Sequence, residues 1–406
     1  MRKVNAKTTP AITLAEANMR IARLSKETVT PRCTRERLDL PVDVDIRVSG
    51  EGQYRSLALI VDDLAVSGCS VHDYRQQVGN GIVRMGGIAG VWTHNEHRFK
   101  GYSRCVMENV LRWMYHEGYD VTMLFGITGF YPKYGFATAF PENTFHLSLR
   151  DAERATENRC RFVRFTHDHL PAVLAMYRKT NTGRTGVIVR EQKIWRPFRE
   201  GNPWGARAQA EVALDGGGRP VGYFVHNIER DPEIIEVGYS HTVVFPDLLR
   251  AMAELAWASR SEKIAFRLPE DDAFMQFCMP LGLHKEIDYR RDGGAMIRLI
   301  NLSGTLRKLV PLLKTRVAGT GALSLRTNIG EVALRWSEGA MIVDQPIPKD
   351  DGVKLPQWAL AQMIYGCYGA GSPAFAGIIS GTARSRALLA QLFPALPHYH
   401  YIVDHF

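Results

Sequence analysis

Three groups of residues in this chain have the types and spacing to act on an anionic, elongated ligand. The first is Arg98-Phe99-Lys100-Gly101-Tyr102-Ser103, a basic loop with glycine where a strand ends and a helix begins. A helix start presents unpaired backbone N–H groups and the positive end of its dipole, so Arg98, Lys100 and Gly101 there make a seat for a diphosphate. The second is the aromatic turn Gly129-Phe130-Tyr131-Pro132-Lys133-Tyr134-Gly135-Phe136, which brings Tyr131 or Tyr134 within reach of the ligand's reactive end. The third is the tail, Pro397-His398-Tyr399-His400-Tyr401-Ile402-Val403-Asp404-His405-Phe406. Chain ends are ordinarily loose and polar, and one that is aromatic to its last residue is expected to be held in place.

The elements that must position these groups are legible as a strand, helix, strand succession. Gly86 to Thr93 has β-branched and aromatic strand content, with enough glycine for a close ligand approach. From Arg104 to His116, Val106, Met107, Val110, Leu111 and Met114 recur at helical spacing on one face, and Gly118 stops the helix. Asp120 to Gly126 is a second short strand. Upstream, Ser56–Val61 and Val66–Val71 read as strands, and Gly79-Asn80-Gly81 signals a hairpin before Ile82–Met85. An antiparallel meander therefore feeds the ligand strand. Downstream, Thr144–Leu149 is expected to close this first sheet. Earlier still, Ile12–Leu24 is a candidate helix bracketed by prolines, and Arg32–Arg37 reads as linker.

A second unit, from about 160 to 302, repeats the order: a strand at Phe162–Phe165, a helix at Asp168–Tyr177, a hairpin across Asp215-Gly216-Gly217-Gly218, and a strand at Ile234–Tyr239. A helix at Phe245–Ala258 and strands at Ile264–Leu268 and Ala295–Ile300 complete it. It has no basic glycine loop before its helix, and Gly216–Gly218 read as turn glycines. A third part, 303–406, has a helix at Leu306–Leu313, strands at Leu323–Arg326, Glu331–Trp336 and Ala340–Val343, and helices at Pro356–Tyr365 and Ser385–Phe393.

Composition sets the limits. With 406 residues, 45% hydrophobic and 23% charged, the chain is long enough for two or three domains, each with its own core. The net charge of +9 favours an anionic partner, but 51 Lys and Arg lie scattered among 42 acidic residues without a dense basic run, which argues against nucleic acid. The six cysteines have no C-x-x-C pair, so neither a zinc site nor a disulfide framework is expected, and a reducing compartment fits. The basic N-terminus leads into no apolar core, and no apolar run approaches the roughly 18 residues of a membrane helix, so a cytoplasmic protein is expected. His94, His97, His398, His400 and His405 show neither a Ser-His-Asp ordering nor metal-ligand spacing, and no metal is expected.

Arg98-x-x-Gly101-x-Ser103 at a strand-to-helix junction resembles the coenzyme A loop of the GNAT acetyltransferase superfamily, written Arg/Gln-x-x-Gly-x-Gly/Ala. Phe99 stands where that loop usually has a small or basic residue, and Ser103 where it has glycine or alanine. The run from Gly86 to Arg98, with Leu124-Phe125-Gly126-Ile127 and Phe130–Phe136 after it, is similar to the Eis (enhanced intracellular survival) branch. The resemblance implies an α+β fold of two tandem GNAT-like domains with mixed sheets, 1–150 with the acetyl-CoA site and 151–302 without it. A sterol-carrier-protein-like domain at 303–406 would follow, its tail reaching the active site. It also implies a homo-oligomer and points to a hexamer.

In function it implies acetyl transfer from acetyl-CoA to a primary amine such as an aminoglycoside, a polyamine or a lysine. Val91, Trp92, Thr93, Arg98, Phe99, Lys100, Gly101, Tyr102 and Ser103 would bind the coenzyme, with backbone N–H groups around Val91–Thr93 facing the thioester carbonyl. Tyr131, the first tyrosine of its motif, would be the general acid: a phenol with a pKa of about 10 keeps its proton at neutral pH and can give it to a thiolate. The α-carboxylate of Phe406 would take the amine's proton or attract the ammonium. The alternative, kept open by Phe99 and Ser103, is a non-catalytic regulator or apolar-ligand binding protein on a decayed GNAT scaffold.

Overall fold

The structure, a computed structural model, describes residues 44–193, 195, 198, 208–227, 232–346 and 351–406. The helix expected at 12–24 and the linker at 32–37 lie outside the described residues. Strands β2 (Tyr54–Val61), β3 (Leu64–Val78) and β4 (Gly81–Thr93) form the expected antiparallel meander, and β1 (Val44–Ser49), not foreseen from sequence, adds to it beside β2. Gly79 makes the β3–β4 turn at φ +55°, a conformation open to glycine without a Cβ clash. Helix α1 (Tyr102–His116) then crosses to β5 (Val121–Gly126), which lies parallel to β4. Its buried face is Cys105, Val106, Met107, Val110 and Met114, with Leu111 only half-buried.

Two strands have changed sheets relative to the expectation from sequence. β6 (Ala137–Phe140) belongs to the first sheet, but β7 (Glu142–Ser148), expected to close it, lies between β12 (Lys263–Phe266) and β13 (His284–Asp288) of the second. Conversely β14 (Gly294–Leu299), expected to end the second sheet, lies between β5 and β6 of the first. The physical reasons are local. Pro141 separates β6 from β7 and cannot continue a ladder as a donor, so the chain leaves the first sheet there. In β14, Met296 faces the α1 side and Ile297 and Leu299 the other, a two-sided burial that only an interior strand position can satisfy.

The rest of the second sheet is β8 (Arg161–Arg164), β9 (Ala208–Leu214), β10 (Pro220–Asn227) and β11 (Glu233–Tyr239), in the order β13-β7-β12-β11-β10-β9-β8. Helices α2 (Leu170–Thr180) and α3 (Phe245–Ala258) belong to this unit. The third sheet runs β17 (Ala340–Asp344), β16 (Gly330–Ser337), β15 (Gly321–Thr327), β18 (Gly352–Lys354), β19 (Ser380–Gly381), with helices α4 (Leu302–Leu313), α5 (Gln357–Ile364) and α6 (Ala383–Leu392).

The cores do not divide as composition suggested. Leu323, Leu325, Val332, Leu334 and Trp336 of the third sheet share one cluster with Val83, Met85, Val121 and Met123 from one face of the first, and Phe406 is a member. The opposite face packs on α1 through Leu59, Val71, Ile88 and Leu124. The first sheet is thus covered on both sides, and the chain's last residue is buried against one of them.

Candidate active site

β4 and β5 stay paired only from Met85–Ile88 to Val121–Leu124. Beyond that point β4 follows β3, and Phe125 and Gly126 continue along β14, so the two parallel strands part. A register shift opposite Gly68–Ser70 and a left-handed Gly90 (φ +54°) bend β4 at the same level. The separation opens a notch between Ala89–Thr93 and the end of β5. Of the residues expected there, Val91 and Thr93 are half-buried and Trp92 is exposed, its carbonyl accepting from Ser67 Oγ at 2.8 Å.

The basic loop stands at the start of α1 as its sequence requires. Gly101 is the N-cap at φ +79°, and no side chain caps the helix. The first amides of α1, Tyr102, Ser103 and Arg104, therefore have no intrahelical acceptor. Arg98, Phe99 and Lys100 are all exposed around them. Tyr102 contributes only its backbone, because its side chain is buried under α1. Phe99 is unusual: its ring is fully in solvent and its backbone is left-handed, φ +64°. The site fits the diphosphate of a coenzyme: uncapped amides, two cations and a glycine that lets the backbone approach.

Tyr131 and Phe406 are both seated on glycines of the parting strands. A Cβ on Gly126 would come within 2.6 Å of Tyr131 Cδ2, and one on Gly87 within 2.7 Å of the Phe406 ring. Gly126 shares its face with Leu124 and the α1 core, whereas Gly87 shares its face with Met85 and the third-sheet core. The phenol and the chain end therefore approach the notch from opposite faces of the sheet. Burial raises the Tyr131 pKa above the ordinary phenol value, with Cys69 adding to the effect, so the group holds its proton at neutral pH. Tyr134 is also buried, and burial pushes it up to about 12 against the opposing charge of Arg104.

The tail is held by the second unit. Thr185 N–H donates to the Pro397 carbonyl at 2.9 Å and Tyr399 N–H to the Thr185 carbonyl at 2.8 Å. His400 Nδ1 lies 2.9 Å from the Gly186 carbonyl, and Tyr401 Oη donates to Asn181 Oδ1 at 3.1 Å. The decisive contact is ionic. Arg190 Nη2 is 2.8 Å from one Asp404 oxygen, and Arg190 Nη1 and Nη2 reach the two Glu236 oxygens at 2.7 and 2.6 Å. Tyr223 Oη donates to Glu236 at 2.7 Å, and Trp195 Nε1 to Asp404 at 3.2 Å. Burial works against the Arg190 charge, but Asp404 and Glu236 more than offset it, so its pKa lies above the ordinary guanidinium range. From this clamp the chain runs on to His405, whose ring packs 3.8 Å from that of Phe125, and to Phe406, 5.3 Å from the same ring.

Residues 47–139 match the family described as Acetyltransferase (GNAT) domain. The chain carries a GNAT acetyltransferase domain. The whole fold is similar to that of solved GNAT structures, an Eis protein among them. It superposes on a probable N-acyltransferase from Enterococcus faecalis V583 (TM-score 0.72, 17% identity, 87% of this chain and 90% of that one). It also superposes on a GCN5-related N-acetyltransferase from Anabaena variabilis (TM-score 0.69, 17% identity, 87% and 90%). Eis1 from Mycobacterium abscessus aligns at TM-score 0.63 with 14% identity over 88% and 92%. No curated protein sequence matches the chain. Three sheets fit tandem domains followed by a C-terminal one.

Within the matched stretch the loop stands at the start of α1, Tyr131 sits against Gly126, and Phe406, from the chain's end, sits against Gly87 of the neighbouring strand. What sequence reasoning missed is the clamp: Arg190, Glu236 and Asp404. A signal was present, since Glu236 interrupts the apolar run Ile234-Ile235-Glu236-Val237, and a charge so placed needs a partner. Gly87 and Gly126 were also passed over as seats for aromatic rings. Among the described residues no cluster of three His, Cys, Asp or Glu side chains has metal-binding geometry. Cys69, Cys105, Cys160, Cys278 and Cys367 are free thiols.

Proposed function

We propose that the protein transfers the acetyl group of acetyl-CoA to a primary amine at the β4–β5 notch. The observation that carries this reading is the seating of Tyr131 and the chain terminus on Gly126 and Gly87, from opposite faces of the sheet at the point where it opens. Acetyl-CoA, when bound, supplies an activated acyl group and a thiolate leaving group. Arg98, Lys100 and the amides from Gly101 to Ser103 hold its diphosphate, with Phe99 and Tyr102 shaping the loop through their backbone. The strand at Val91, Trp92 and Thr93 lines the thioester, and an N–H on its edge away from β3 donates to the carbonyl oxygen.

Tyr131 Oη holds its proton until the thiolate departs, and its raised pKa keeps the phenol protonated at neutral pH. The Phe406 α-carboxylate attracts the ammonium and receives its proton, directly or through water. The third domain, of sterol-carrier-protein type, acts structurally: it shares its core with the first sheet and supports the tail. The free thiols of the described cysteines support a cytoplasmic setting. A homo-oligomer, a hexamer on the Eis pattern, completes the Eis-like reading.

Thiol release from acetyl-CoA, measured with a panel of amines, tests the reaction. Tyr131→Phe, or one residue added after Phe406, is expected to lower turnover by about 10²-fold or more while leaving acetyl-CoA affinity within about twofold. Unchanged turnover in both variants would remove this mechanism. Absence of acetyl-CoA binding by calorimetry would favour a non-catalytic regulator or apolar-ligand binding protein.

A further inference from the structure

Beside the tail lies a cavity of about 1190 Å³ that opens at the start of β2 and closes on Val403–His405. Its floor is a ladder of rings. Tyr54 and His72 are direct cross-strand partners on β2 and β3, their rings 5.3 Å apart and edge to face. His72 and Tyr74, two residues apart on β3, point the same way, stacked at 6.2 Å. Both then meet Phe406, at 5.9 and 5.6 Å. Tyr54, 46% exposed, stands at the mouth, so the ladder leads from solvent to the ring of the chain's last residue.

The lining side chains carry no net charge, which leaves the Phe406 α-carboxylate as the single anion at the end of the ladder. Among the described residues, the four carboxylates lining the cavity are matched by four Lys and Arg side chains. Three of those carboxylates are tied up: Asp73 with Arg84 at 2.6 Å, Glu191 with Arg75 at 2.8 Å, and Asp404 with the buried Arg190 at 2.8 Å. A molecule with several ammonium groups gains by entering a site of net negative charge, and gains little where the lining carboxylates are matched in number by cations. Rings that stack in series favour a flat or apolar body, with one ammonium group directed past them.

We propose that the acceptor is a monoamine on a planar or apolar body, held along Tyr54, His72 and Tyr74, and not a polyamine or aminoglycoside. This rests on the acetyltransferase reading above. It assigns specificity to three residues of the meander that stand outside the coenzyme loop and the aromatic turn.

The test uses the full chain and compares kcat/KM, by thiol release, for 2-phenylethylamine, spermidine and kanamycin. The phenylethylamine value is expected to exceed the other two by about tenfold or more, and its KM to change less than about twofold between low and high salt. His72→Ala is expected to narrow the phenylethylamine-to-spermidine ratio about tenfold, mainly through KM. Tyr54→Ala, at the rim and tolerant of substitution, should narrow it by a smaller factor. Faster turnover of spermidine or kanamycin, or a ratio unmoved in both variants, overturns the inference alone. No thiol release with any of the three, despite acetyl-CoA binding, overturns the acetyltransferase reading and this inference together.

Discussion

The first and second sheets carry the same succession of parallel strand, crossover helix and parallel strand, and they put its open end to different uses. In the first, β4 and β5 part after Ile88 and Leu124, and a cationic, uncapped helix start faces the opening. In the second, β11 and β12 pair at Glu233–Ala265 and Ile234–Phe266 with α3 between them, but Ser240–Val244 before that helix carries no Lys or Arg. The second sheet also fills its own space. Tyr223 packs so closely over Gly238 that a Cβ there would penetrate the ring, and its hydroxyl braces Glu236. Glu236 holds Arg190, which holds Asp404. The second unit has become a clamp that holds the chain's end, whose last residue sits against Gly87 of the first sheet.

The most severe way to break this division of labour is Arg190→Met. It leaves Glu236 and Asp404 buried without their cation, and removing one partner of a buried ionic network costs about 3–5 kcal/mol. Thermal unfolding should show that loss. Turnover measured well below the new Tm should fall as well, with acetyl-CoA affinity retained, because the tail is released while the loop is untouched. A variant as stable as the parent would mean that the clamp is dispensable.

A pair of alanine substitutions sharpens the contrast. Gly238→Ala forces a methyl group into Tyr223 and Gly87→Ala forces one into Phe406, each an overpacking of about 1–3 kcal/mol. Stability should drop comparably in both. Only Gly87→Ala should also cut turnover strongly, since only it displaces the terminal residue. Equal activity losses would contradict the assignment of separate roles to the two sheets.

The two regions also differed in how far sequence alone revealed them. The loop at Arg98–Ser103, α1 and the aromatic turn are local: their residues are close in sequence, and periodicity and glycine placement were enough to find them. The clamp joins residues from three distant segments, 190, 236 and 404, and no local pattern links them. The exchange of β7 and β14 escaped for the same reason. Strand character is written in alternation, but sheet membership depends on which face of which partner can bury Met296 and Ile297 together. Phe406 was placed by resemblance, and its seat at Gly87 became visible only when the strands were in register.

The tail should respond to pH where the loop does not depend on it. Burial lowers the pKa of His398, His400 and His405 below the ordinary imidazole value near 6.5, and His400 lowers His405 further. Asp404 and the Gly186 carbonyl oppose this at His400 without reversing it. Neutral in the fold and ordinary in the released chain, these rings bind more protons when the tail is out. Seating is therefore at full strength above about pH 6.5 and is lost progressively as pH falls below it. Hydrogen exchange of the 397–406 amides, corrected for intrinsic rates, should be faster at pH 5.5 than at pH 7.5. Equal protection at both would sink the idea.

The smallest expected effect concerns Phe99, the departure that kept a decayed loop in play. A non-glycine residue at φ +64° costs about 1–2 kcal/mol in backbone strain, and its exposed ring has no burial to offset that. Phe99→Gly removes the strain but adds chain entropy to the unfolded state, for a net gain of about 0–1 kcal/mol. Because the diphosphate seat is built from backbone amides and the flanking cations, acetyl-CoA affinity should stay within about twofold of the parent. If affinity instead falls tenfold while stability rises, the ring itself touches the coenzyme, and its strained backbone is retained for binding.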